Sequence, residues 1–96
     1  MLIKKGPTIG DVVSIKIING DEIIARFEGE DNDSITFSRP LAVLLDPRGG
    51  MGMIPWMFLG DAESHTILRN QYFSMVPTKE DAAKQYMEGT TGIALR

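Results

Sequence analysis

The sequence predicts a mainly β fold: a small, strongly bent five-stranded antiparallel barrel with a short C-terminal helix. Three observations carry that expectation. Apolar residues alternate at period two between residues 12 and 37, Pro40 interrupts a strand that resumes as "LAVLL", and helical spacing replaces the alternation after Pro77.

Val13, Ile15 and Ile17 share one face of the first run, with Ser14 and Lys16 on the other. Asn19-Gly20 follows directly, a strong hairpin signal because both residues tolerate positive φ. Ile23, Ala25 and Phe27 then oppose Glu22, Arg26 and Glu28. Gly29 to Asp33 forms a second turn, after which Ile35 and Phe37 point inward. A proline cannot donate to a ladder, so the third strand is expected to bend at Pro40 and continue, which is what a curved barrel needs. The fourth strand lies within Ile54 to Leu68, with a kink or loop at Gly60 to Ser64, and Tyr72 to Val76 is the fifth. Thr78 is placed as an N-cap with Asp81 three residues on. Ala82, Ala83, Tyr86 and Met87 form a narrow stripe on the helix, which Gly89 ends.

The 96 residues make one domain, 1–96: barrel 10–77, helix 78–88 and a loose tail 89–96. No cysteine is present, so disulfides and thiolate metal sites are excluded. The net charge of −3 argues against coating nucleic acid by bulk charge, while leaving room for a local site on one or two nucleotides. The opening "MLIKKGPTIG" is too short and polar for a signal peptide, and "LAVLL" and "MIPWMFL" are too short to span a bilayer. A cytoplasmic location and no membrane partner are expected.

Glu28, Glu30, Asp31 and Asp33 crowd the second turn. A calcium loop needs acids at alternate positions, and Asp31-x-Asp33 begins that pattern before Ile35 and Phe37 end it. A solvated turn is the simpler reading. "RGGMGM" lacks the Gly-Lys-Ser/Thr ending of a phosphate loop. The single histidine, His65, has Ser64 and Glu63 beside it, but neighbours on a strand face opposite ways. No enzyme activity, metal or cofactor is expected.

With the turn order in place, "VSIKIINGDEIIARFEGEDNDSITF" resembles the first motif of the Sm-like (LSm) family of small RNA-associated barrels, through Val13, Ile15, Ile17, Gly20, Ile23, Phe27, Asp31, Ile35 and Phe37. Leu68-Arg69-Asn70 is similar to that family's shorter second motif, and the match covers roughly residues 10–77. Ser34 stands where the family has Asn, Asn70 and Ala25 where it has Gly, and the "DPRGGMGMIPWMFLGDAES" connection is longer. The resemblance implies a divergent, phage-type member forming a homo-oligomeric ring of five to eight subunits. It also implies binding of short single-stranded RNA, U- or A-rich. Arg69 and Asn70 would contact a base or phosphate, Asn32 and Ser34 would add polar contacts, and Asp31 would orient the loop. The other reading is a ring-shaped protein-assembly module that has lost RNA binding. Its partner-docking surface would be the soft apolar segment of Met53, Trp56, Met57 and Phe58.

Overall fold

A computed structural model describes residues 6–90. Six strands and one helix follow in order: β1 (Val12–Ile17), β2 (Glu22–Glu30), β3 (Ser34–Leu45), β4 (Met51–Pro55), β5 (Ser64–Leu68), β6 (Tyr72–Pro77) and α1 (Glu80–Thr90). A short 3-10 turn, Arg69–Gln71, joins β5 to β6. All pairings are antiparallel, and the sheet runs β4-β3-β2-β1-β6 with β5 also on β3.

The first hairpin follows from local chemistry. Gly20 donates its N–H to the carbonyl of Ile17 at 2.9 Å, and Ile17 donates to Asp21 at 2.8 Å, so the connection is Ile18-Asn19-Gly20. Of these three only Gly20 has positive φ, at 100°, and the Asn19 side chain accepts the Asp21 N–H instead. This is a turn followed by a left-handed glycine, not the two-residue loop that Asn-Gly favours.

β3 is the organising strand. Arg26 pairs with Ser38 and Ile24 with Leu41, so Arg39 and Pro40 together face Ala25 alone. That bulge bends β3, and it forces Arg39 to φ 51°, uncommon for any residue but glycine. Before the bend β3 pairs with β5, and after it with β4. The segment 56–63 is therefore an excursion out of what is otherwise a single edge position.

Val13, Ile15, Ile17, Ile23, Ala25, Phe27, Ile35 and Phe37 form the core on one face of the sheet, with Trp56, Ile67, Tyr72 and Met75 packed against it. α1 lies on the opposite face. Tyr86 is fully buried and donates its hydroxyl to the carbonyl of Arg39 at 2.8 Å. α1 starts at Glu80 and runs through Gly89 to Thr90, so the residue before it is Lys79 and the expected Thr78 N-cap is one position early; the Thr78 hydroxyl instead bonds Ser14 at 2.8 Å. The tail expected at 89–96 falls, beyond Thr90, outside the described residues.

The five-stranded barrel is corrected to an open six-stranded sheet. The chain crosses from β3's edge to β1's edge over the 3-10 turn, and β5 and β6 share no ladder, so the two ends of the sheet are not joined. The edges are also blunted. Trp56 donates to Pro40, and Thr78 to Val12, so alternation of antiparallel pairs turns the nitrogens of Pro55 and Pro77 outward. An outward proline offers an incoming strand no donor. Both observations count against a ring built by strand pairing between copies.

Candidate functional site

Two places in the fold gather the residues singled out in the sequence. The first is the acidic turn between β2 and β3. Three of its four carboxylates, Glu28, Glu30 and Asp31, accept side-chain or backbone donors, and Asp33 is exposed. Asp31 Oδ1 accepts the backbone N–H of Asp33 and of Ser34, both at 2.8 Å, and the Ser34 hydroxyl at 3.1 Å. These bonds, with the Asp33 N–H the largest contributor, hold the Asp31 carboxyl below its ordinary value of 3.8. Asp31 therefore shapes the turn.

Arg69, at the start of the 3-10 turn, clamps this loop from across the sheet. Its Nη2 donates to Glu30 Oε1 at 2.7 Å and to the carbonyl of Asp31 at 2.6 Å. Nε is shared between the carbonyls of Asp31 and Asn32, and Nη1 donates to the Tyr72 hydroxyl at 3.0 Å. The bond to Glu30 raises the guanidinium pKa above its already high ordinary value. A guanidinium has five N–H donors, and at least four are committed here. Asn70 accepts from Gln71, and Asn32 is exposed at the tip. The structure thus brings Asn32, Ser34, Arg69 and Asn70 to one corner, but spends Arg69 on the protein's own backbone.

The second place is the 56–63 excursion. Trp56 anchors it: the indole centroid lies 5.9 Å from those of both Phe37 and His65. Past that anchor three consecutive apolar residues project. Met57 is 47% exposed, Phe58 72% and Leu59 98%. Met57's thioether folds over Gly60, into space a Cβ at 60 would occupy, which tightens the base of the loop. A cleft of about 240 Å³ beneath it is lined by Pro40, Pro55, Met57, Ala62 and His65, with Thr90 of α1 at its end.

The expected docking set of Met53, Trp56, Met57 and Phe58 is thereby divided. Met57 and Phe58 stand on the loop and Trp56 packs on the core, while Met53 lines a separate groove beside α1. Leu59, the most exposed apolar residue of the loop, was not singled out by sequence reasoning. Its signal was its place between Phe58 and Gly60, one residue beyond the tryptophan-centred run.

The groove lies on the helix-bearing face and measures about 480 Å³, lined by Ile24, Val43, Met51, Met53 and Val76. Val76 and Ile24 both pair with Ser14, so they flank it in one row across the sheet. Among the described residues no group of three or more His, Cys, Asp or Glu could hold a metal, and no helix is long and apolar enough to cross a membrane.

Compared with known proteins, the chain matches no family model and no curated protein. The resemblance to the Sm-like family is thus corrected together with the barrel it implied. The ring and the RNA-binding role drawn from it fall with the open sheet.

Proposed function

We propose that this chain is a non-catalytic protein-interaction module that docks through the apolar loop Met57-Phe58-Leu59. The observation that carries the reading is the sharp rise in exposure along that loop, from a half-buried Trp56 anchor to a Leu59 that is 98% exposed. Isolated exposed apolar residues need no explanation, whereas three in succession on an anchored loop make a contiguous patch. A base fixed by packing means that little ordering entropy is lost on binding, and aromatic anchors of this kind dominate contact energies.

A protein partner is favoured over a lipid surface by charge. Asp61 and Glu63 follow the tip within four positions, and the net charge is −3, so an anionic bilayer would repel the loop. His65, the single histidine, is engaged in packing against Phe37 and Trp56.

The test is a photo-crosslinking amino acid placed at position 58, with position 48 as an exposed polar control on another loop. Protein adducts from 58 and none from 48 are expected, with a second copy of the chain counted among protein products. Adducts confined to lipid, or equal protein labelling from both positions, would contradict the reading.

A further inference from the structure

We infer that Met87 is an oxidation site whose sulfoxide is held by the Arg26 guanidinium, so that peroxide tightens α1 on the sheet instead of loosening it. Arg26 lies on the helix-bearing side of β2, since Ala25 and Phe27 beside it belong to the core on the other face. There its Nη2 donates to Met87 Sδ at 3.2 Å, and its Nε, shielded from solvent, meets no acceptor among the described residues. The ion pairs among the described residues are Arg39–Glu63, Arg48–Asp46 and Arg69–Glu30, and none of them includes Arg26. Glu28, the acid two positions along the same strand, accepts the Ser38 hydroxyl at 2.6 Å. A cation is thus held between sheet and helix with a thioether, a weak acceptor, as its side-chain partner.

A buried donor left unpaired costs stability, so a better acceptor at this place would be stabilising. Oxidation supplies one. A sulfoxide usually disrupts a packed position, because it adds a polar group where none is matched. At Met87 the new oxygen forms beside a donor-rich cation, and hydrogen bonds from a charged donor are roughly twice as strong as neutral ones.

The sulfur is also within reach. Met87 is partly exposed, while its neighbour Tyr86 is fully buried and bonds the Arg39 carbonyl at 2.8 Å. Oxidant therefore meets the sulfur with α1 still seated. The sulfur lone pair attacks one oxygen of hydrogen peroxide, and the S–O bond forms as the O–O bond breaks. Two electrons pass from sulfur to the peroxide. The departing hydroxide takes the proton of the transferred oxygen, which leaves the sulfoxide and one water.

Nuclear magnetic resonance of the full chain before and after hydrogen peroxide tests this. Oxidation of Met87, read from its ε-methyl signal, is expected to slow exchange of the Arg26 guanidinium protons with water about tenfold. Urea denaturation of the wild type, Arg26→Leu and Met87→Leu, each with and without peroxide, supplies the energetic half. Met87→Leu reports what oxidation of the other methionines does. Relative to it, oxidation should lower the unfolding equilibrium constant about threefold with Arg26 present and raise it about threefold in Arg26→Leu. If Arg26→Leu does not fold, proton exchange in the wild type decides alone. Unchanged guanidinium exchange, an equal loss of stability with and without Arg26, or a Met87 that is oxidised only in urea would each overturn the inference.

Discussion

At the residue scale the acidic turn is an internal structure, made by one carboxylate and one guanidinium. Asp31 caps the turn and Arg69 pins it to the 3-10 turn across the sheet. Because the Asp31 pKa is lowered on folding, its stabilisation is complete above the unfolded value near 3.8 and is lost as pH falls through the lower folded value. Urea denaturation between pH 6 and about pH 2 should therefore show a steeper acid loss in the wild type than in Asp31→Asn. Equal slopes would remove Asp31 from the turn's stability. Tyr86 titrates with the opposite consequence. Burial raises its pKa above 10.0, so its contribution is intact below that value and declines as pH rises through the folded one. Tyr86→Phe should lose about 1–2 kcal/mol at neutral pH, by stripping a donor from the Arg39 carbonyl, and should be less sensitive to alkali. A loop-orienting role for Asp31 is expected only through the family resemblance, and Arg69's grip on the turn has no signal in the sequence, because Glu30, Asp31 and Asn32 lie far away in the chain and meet it only when β5 pairs with β3.

At the scale of elements, the period-two alternation located β1, β2 and the first half of β3, since one face of each strand is buried and the other is not. The same rule weakens where burial weakens. β4, β5 and β6 are edge strands without a fully buried residue, so their alternation is faint, and the single fourth strand expected within Ile54 to Leu68 is corrected to two, β4 beginning earlier at Met51 and β5 at Ser64. They do share one side of β3, which is why a single strand with a kink was a natural expectation. The helix stripe was readable because Tyr86 must bury a ring, while the cap was not, because Ser14 lies on β1 and takes the Thr78 hydroxyl. The first hairpin gives a clean check. Gly20 holds φ at 100°, so Gly20→Ala should cost about 1 kcal/mol, read as a shift in denaturation midpoint with unchanged slope. No loss would mean that the turn relaxes to another type.

At the scale of the molecule, barrel closure depends on whether the first and last strands meet, and alternation is silent about that. The open sheet leaves two edges that outward prolines at Pro55 and Pro77 blunt, and exposed apolar side chains stand on the loop at Met57, Phe58 and Leu59 as well as singly on the strands at Leu45, Leu68 and Phe73. The proposed contact surface therefore lies on the side chains of the loop and not on strand edges. The sequence marks Met57 and Phe58 as apolar and soft, whereas the exposure of Leu59 depends on where the excursion leaves β3's edge. The measurement that bears most directly on the loop as a protein contact is photo-crosslinking from position 58. The account predicts protein adducts from position 58 and none from the exposed control position 48. Adducts confined to lipid, or equal protein labelling from both positions, would contradict it.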